Sequence, residues 1–273
     1  MGGKKLIVID LDGTALHNNM ELHPETKAAL IKAKLAGHKV VIATGRSPRA
    51  SLNFYQELQL DTPIINYNGS YIHHPTDQNF EEIMDHILIE TLNEILDSQI
   101  VDNLENVICK YKDNLYILKE DELLETWFYF HHYGSVKYGA FKDTMDRHPN
   151  GLILEAKSGT EKKVIDFLRI NHSDTIGFRQ WGNPYSHIIE VFKNDSNKGI
   201  GLSKVAKHLG IDPEDIIVFG DGDNDIEMFQ FAGTRIAMEN ATYPLKAIAT
   251  ETTKLNTEGG VAYYLYKNLL KIS

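Results

Sequence analysis

The chain has 273 residues, 42% of them hydrophobic and 24% charged, with a formal net charge of −10. That is long enough for a full core and for two domains, and the acidic balance disfavours a nucleic-acid partner, for which no basic stripe is present. No apolar run approaches the ~20 residues needed to span a bilayer, and no signal peptide precedes the first strand, so a cytosolic chain with no membrane partner is expected. Met1-Gly2-Gly3 does not read as a myristoylation signal, because Leu6 stands where Ser or Thr is needed. The single cysteine, Cys109, excludes an internal disulfide, and within Val107-Ile108-Cys109 it reads as buried filler. Nothing in the composition assigns an oligomeric state.

Along the chain, Leu6-Ile7-Val8-Ile9 predicts a buried strand that ends in Asp10-Leu11-Asp12-Gly13-Thr14. Pro24 opens a helix whose apolar side is Ala28, Leu30, Ile31 and Leu35, and Gly37 closes it. A strand over 39–43 runs into Thr44-Gly45-Arg46, a helix begins near Ser47-Pro48, and Pro63-Ile64-Ile65-Asn66 forms a third strand. Asn68-Gly69 is a type I′ turn pair, from which the chain doubles back through Tyr71-Ile72. Strands alternating with helices predict a parallel sheet.

Between about 83 and 187 the character changes, with 11 Lys and Arg against 17 Asp and Glu and many short strand-like runs. Helix 89–101, strands 106–111 and 114–119, and helix 121–132 come first. An undefined stretch follows, then strand 152–157, helix 159–171, and strands 174–181 and 187–192, an open-faced α+β layout with two helix–strand–strand ends. The first pattern then returns: helix 198–209, strand 216–220, a helix near 224–231, strand 234–238, a short helix near 243–249 and a final helix 258–270. The expected domains are a split core, 1–82 and 188–273, and an inserted unit, 83–187.

Two carboxylates two residues apart at a strand end can divide nucleophilic and proton-transfer work, and can help hold a hard cation. Gly13 lets the backbone turn its N–H groups toward an anion. Asn197-Lys198-Gly199 places a lysine at a helix N-terminus, and Ile216-Ile217-Val218-Phe219 leads into the acidic turn Gly220-Asp221-Gly222-Asp223-Asn224-Asp225. That turn fails as a calcium loop: its glycine comes too early, and Ala232 stands where the distal Glu belongs. His73-His74 and His131-His132 lack metal-ligand spacing, and Trp127-Phe128-Tyr129-Phe130 reads as packing.

Taken in order, D-x-D-G-T, T-G-R, N-K-G and G-D-x-x-N-D resemble the motifs of the haloacid dehalogenase superfamily, and most closely its Cof-like phosphatases. The matched blocks span roughly residues 5–70 and 187–262. Only 29 residues separate Thr14 from Thr44, while 153 separate Thr44 from Lys198, which resembles the cap placement called type IIB. The resemblance implies a Rossmann-like α/β core with an α+β cap inserted between the second and third motifs, the cap setting specificity.

It also implies roles. Asp10 is the nucleophile that forms an aspartyl phosphate, and Asp12 protonates the leaving alcohol and then activates water. Mg²⁺ is the implied cofactor, held by Asp10, the Asp12 carbonyl and Asp221, with Asp225 in support and Asp223 at a position the pattern leaves open. Thr44, the N–H groups of Gly45 and Leu11, Asn224 and Lys198 bind the transferring phosphoryl group. Arg46, Asn68, Trp181, Tyr185 and His187 are candidates for substrate contact. The expected activity is hydrolysis of a small phosphorylated metabolite, a sugar phosphate or a phosphorylated cofactor. The alternatives are a sugar phosphomutase and a non-catalytic module that binds a phosphorylated ligand.

Overall fold

A computed structural model describes residues 3–18, 20–121 and 134–270. The chain forms two compact units: Met1–Arg46, Ser51–Ile83 and Asn197–Ser273 make the first, Ser47–Ala50 and Met84–Ser196 the second. Among the described residues no helix is long and apolar enough to cross a membrane.

The first unit is built on parallel strands. In chain order these are β1 (Leu6–Ile9), β2 (Lys39–Ile42) and β3 (Ile64–Asn66), followed by the short β4 (Tyr71–His73) and β5 (Ile83–Met84). The second unit carries β6 (Leu104–Tyr111), β7 (Asn114–Ile117), β8 (Ser135–Tyr138), β9 (Gly151–Ala156), β10 (Ile176–Gln180) and β11 (Ile188–Lys193). The chain then returns through β12 (Ile216–Gly220), β13 (Thr234–Ala237) and β14 (Glu251–Thr252).

The parallel sheet has the order β14-β13-β12-β1-β2, and a parallel bridge from Ala43 to Ile65 carries it on toward β3. Every residue of β1 and β12 is buried, which is why both read as unbroken aliphatic runs rather than alternating ones. Ile7 and Ile9 pack into one core cluster, Leu6 and Val8 into another on the opposite face. From β1 the order runs to β2 on one side and to β12 on the other. Their carboxyl ends therefore flank a crevice at the point where the winding reverses, the usual place for a ligand in an open α/β sheet.

The flanking helices follow their end signals. Pro24 starts the helix Pro24–Leu35, and Gly37 leaves it at φ +93°. Its buried face is Thr26, Ala29, Leu30 and Ala33; of the predicted stripe Leu30 is buried and Ile31 half-buried, whereas Ala28 is exposed and Leu35 is 82% exposed. The helix turns small residues toward the sheet, allowing close approach, and leaves its last leucine in solvent. The predicted two-residue turn at Asn68-Gly69 is also corrected. β3 and β4 are antiparallel but joined by four residues, with Tyr67, Asn68 and Gly69 all at positive φ. The wider loop is tied to the turn after β2, since Asn68 N–H donates to the Thr44 carbonyl at 3.0 Å and Tyr67 N–H to the Arg46 carbonyl at 3.2 Å.

In the second unit the strands form one sheet, β10-β11-β9-β6-β7-β8, antiparallel except for the parallel pair β7–β8. Its helices Ile89–Asp97 and Glu161–His172 cover one face, where Leu92, Val107, Leu154 and Leu168 pack. Cys109 lies fully buried there, its thiol pushed well up by burial. The opposite face carries the aliphatic cluster Ile108, Leu115, Ile117, Ile153 and Ile188 and a buried ion pair, Lys110 Nζ to Glu190 Oε1 at 2.8 Å. The helix predicted over 121–132, with its aromatic run and the His131-His132 pair, lies beyond Asp121 outside the described residues. β8 and the short helix Phe141–Thr144 occupy the stretch the sequence left undefined.

Candidate active site

Asp10 follows β1 directly, and its N–H donates to the Phe219 carbonyl at 3.1 Å, so the ends of β1 and β12 are joined at the crevice. The chain then folds tightly through Leu11–Ala15, with Gly13 at φ +76°. A Cβ on Gly13 would overlap the Asp221 carboxylate, so glycine is required twice over, by conformation and by approach. Thr14 Oγ1 donates to Asp221 Oδ1 at 3.0 Å, fixing one acidic turn against the other.

Lys198 arrives from the far side of the sequence. It is the first residue of the helix Lys198–Leu209, which Asn197 caps by accepting from Ile200 N–H at 2.9 Å and which ends at left-handed Gly210. Gly199 permits that first turn to seat against the Glu227 backbone, where a Cβ would collide. The ammonium is fully buried and donates to Asp10 Oδ1 at 2.6 Å and to Asp225 Oδ1 at 2.7 Å. Asp225 Oδ2 in turn accepts from the N–H groups of Asp221 and Gly222 at 2.9 and 3.0 Å. Both oxygens of Asp225 are therefore engaged in holding the lysine and the acidic turn.

Charge is unbalanced here. Ligand atoms of Asp10, Asp221 and Asp225 lie within 4.8 Å of one another, with Lys198 the cation among them. Burial pushes the Asp10 carboxyl well up, Lys198 opposes that, and the charges of Asp225, Asp221 and Asp12 add to it. Burial and the Asp225 charge push Asp221 up to about 7. Burial pulls the Lys198 ammonium down, but the two carboxylates outweigh it and hold its pKa above the ordinary lysine range. Such a set fits a divalent cation: oxygen donors only, converging, and with more negative charge than one lysine neutralises.

The other predicted residues take definite places. Thr44 is fully buried at the end of β2, and its Oγ1 accepts from Arg46 N–H at 3.1 Å, which leaves the hydroxyl proton to donate elsewhere. Gly45 lies against Asn68, whose Oδ1 accepts from Asn224 Nδ2 at 2.9 Å. Leu11 buries its side chain in the core, so only its backbone can serve a ligand. Arg46 grips Asp12 through two hydrogen bonds. Asp223 accepts from Thr242 Oγ1 at 2.7 Å and stands outside the converging group. Trp181, Tyr185 and His187 belong to the second unit, where Trp181 packs on the aliphatic cluster and meets Tyr185 edge to face, ring centroids 6.3 Å apart. His73 stacks on Tyr71 and shares a hydrogen bond with Asn66 at 3.2 Å.

Two participants escaped sequence reasoning. Thr14 was visible within its motif but carried no assigned role. Asn240, which donates to the Gly13 carbonyl at 2.8 Å, lies in no motif at all. Its one signal is that it follows β13, a strand whose last two residues, Ile236 and Ala237, are buried and whose carboxyl end opens on the same crevice.

A parallel sheet whose strand ends gather aspartates around a buried lysine defines the class, that of the haloacid dehalogenase-like hydrolases. The model of that family matches residues 7–265, and the chain belongs to it as a phosphoric monoester hydrolase. Over 260 residues, 95% of this chain and 96% of the relative, it is 35% identical to the 5-amino-6-(5-phospho-D-ribitylamino)uracil phosphatase YitU of Bacillus subtilis. It is 28% identical to the pyridoxal phosphate phosphatase YbhA of Escherichia coli, over 97% of this chain and 99% of that one. A haloacid dehalogenase-like hydrolase from Bacteroides thetaiotaomicron has the same fold, with a TM-score of 0.85 at 24% identity, covering 97% of this chain and 99% of that structure.

Proposed function

We propose that this chain is a Mg²⁺-dependent phosphatase of small phosphorylated metabolites, acting through an aspartyl phosphate on Asp10. The observation that carries the reading is the Lys198 ammonium bound to Asp10 and Asp225 beside Asp221. Lys198 holds Oδ1 of Asp10, which orients the carboxylate and leaves Oδ2 as the attacking oxygen. The phosphoryl oxygens are received by the Thr44 hydroxyl, the N–H groups of Gly45 and Leu11, and Asn224, which Asn68 orients. This is catalysis by position and charge, the main resource for phosphoryl transfer. Asp12 protonates the leaving alcohol and then deprotonates the water that hydrolyses the acyl phosphate.

Asp10, the Asp12 carbonyl and Asp221 would hold the Mg²⁺, with Asp225 behind them. When bound it offsets the repulsion between the Asp10 carboxylate and an anionic phosphoryl group. The second unit supplies selectivity for the leaving group. The relatives named above act on a phosphorylated ribitylaminouracil and on pyridoxal phosphate, which favours a phosphorylated cofactor or cofactor precursor as the substrate.

A panel of such esters and sugar phosphates, assayed for released phosphate with Mg²⁺ and no bisphosphate activator, tests the proposal. Release from one class, with no turnover above background in Asp10→Asn, is the expected result. Turnover that persists in Asp10→Asn overturns the covalent route.

A further inference from the structure

Asn66, at the end of β3, is a fully buried amide in a strand whose other residues are isoleucines. A buried amide is costly unless its hydrogen bonds are made, and those of Asn66 are. Nδ2 donates to the Arg46 carbonyl at 3.0 Å and to Ser51 Oγ at 2.8 Å, and Oδ1 meets His73 Nε2 at 3.2 Å. The Arg46 carbonyl can only accept, so the amide can face it only with its nitrogen. Oδ1 is thereby turned to His73, whose Nε2 is the donor of that bond. Sheet register brings His73 there: it stands opposite Ile64, on the same face as Asn66, its ring stacked on Tyr71 with centroids 4.9 Å apart.

Asn66 lies in none of the motifs, yet its bonds lead to a residue of the site. Arg46 is held at both ends of its backbone unit. Its N–H donates to Thr44 Oγ1 at 3.1 Å, and its carbonyl accepts from Asn66 Nδ2 and, at 3.2 Å, from the Tyr67 N–H. From that fixed point the guanidinium reaches Asp12. Thr44 has backbone ties that do not involve the amide: its N–H donates to the Ile65 carbonyl at 2.9 Å, and its carbonyl accepts from the Asn68 N–H at 3.0 Å. The threonine end of the turn and its arginine end are thus secured separately.

We propose that Asn66 is a positioning residue for proton transfer to the leaving group: through the Arg46 backbone it sets where the guanidinium holds Asp12. The inference rests on the reading of Asp12 as the group that protonates the alcohol. Its consequence is selective. Loss of the amide loosens Arg46 and impairs protonation of a strongly basic alkoxide, while Thr44 and Gly45 keep their places around the phosphoryl group. An ester whose leaving group departs without a proton should be little affected.

The test is kcat/KM, which covers the steps up to departure of the alcohol. It is measured for an alkyl phosphate that the wild-type enzyme hydrolyses, pyridoxal phosphate first, and for 4-nitrophenyl phosphate, whose leaving group needs little protonation. Asn66→Ala should lower it about tenfold for the alkyl ester and at most about twofold for the aryl ester. If Asn66→Ala does not fold, Asn66→Leu, which restores most of the lost volume, takes its place. Adding either substitution to Arg46→Ala should cost nothing further on the alkyl ester, because the two residues act in series. Equal losses on the two esters, or losses that add to that of Arg46→Ala, would mean that Asn66 only stabilises the fold and would overturn the proposal. Asp12→Asn separates this inference from the reading beneath it and should show the same contrast, enlarged. If Asp12→Asn lowers both esters alike, the proton-transfer role of Asp12 fails and the inference with it. If Asp12→Asn shows the contrast and the Asn66 variant does not, the inference alone fails.

Discussion

Arg46 and Asp12 form a two-point ion pair: Nε donates to Oδ2 at 2.8 Å and Nη2 to Oδ1 at 2.6 Å. The pair joins residues 34 positions apart and occupies both oxygens of the carboxylate assigned to proton transfer. A guanidinium in this geometry fixes orientation as well as charge, which a lysine ammonium cannot do. Asp12 must let go of at least one Arg46 nitrogen to reach a leaving group. With Asp12 in its proposed role, Arg46 would be a positioning residue that holds the carboxylate between turnovers.

Arg46→Lys should consequently behave much like Arg46→Ala. Both are expected to lower kcat by about 10²-fold, the scale of a misplaced catalytic group. Steady-state kinetics from pH 5 to 9 on a good phosphate ester provide the check. Wild-type kcat in Arg46→Lys would remove Arg46 from the positioning of Asp12.

Lys198 stands between two carboxylates in a place water does not reach, so its removal is a folding problem as well as a catalytic one. Lys198→Ala should destabilise the protein by about 3–5 kcal/mol, the cost of leaving buried charge uncompensated. Adding Asp225→Asn should restore part of that stability. Urea denaturation of both single variants and the double variant measures the coupling. Strictly additive losses would mean that the pair does not interact.

Protons and a cation compete for Asp221. Its folded pKa of about 7 lies above the unfolded value of 3.8, so the metal-free fold binds the proton more tightly than the unfolded chain does. That contribution to stability is full below pH 3.8 and is lost as pH rises through about 7. Metal binding should reverse the trend. Mg²⁺ affinity should fall about tenfold per pH unit below 7, with close to one proton released per ion at pH 6. Calorimetry in two buffers of different ionisation enthalpy counts the proton. Release of none, or an affinity flat from pH 6 to 8, would dissociate Asp221 from the ion.

Gly13→Ala places a methyl group at φ +76° against the Asp221 carboxylate. The backbone strain alone costs about 1–3 kcal/mol, and relief by moving Asp221 would open the metal site. A lower melting temperature together with a weaker Mg²⁺ requirement curve is expected. Unchanged Mg²⁺ dependence would show that the two turns move apart without consequence.

By itself the sequence determined the parallel strands β1, β2 and β12, because strands buried on both faces must be aliphatic throughout. It also determined the residues at their ends, where the apolar runs stop at Asp10, Thr44 and Asp221. The start and stop of the helices at Pro24, Lys198 and Gly210 were equally legible, since capping is a local matter of φ, ψ and nearby N–H groups. Which helix face is buried was not: Leu35 carries the right hydrophobicity but points to solvent, because the sheet it would meet is a tertiary fact. Nor was the loop at 67–70, whose conformation is set by hydrogen bonds to Thr44 and Arg46 rather than by Asn68-Gly69 alone. Only the tertiary structure decided that Arg46 holds Asp12, that Asn224 meets Asn68 across 156 positions, and that Asn240 reaches Gly13 across 227. Spacing along a chain encodes local geometry, whereas these pairings exist only once strand order has brought distant strand ends together at one crevice.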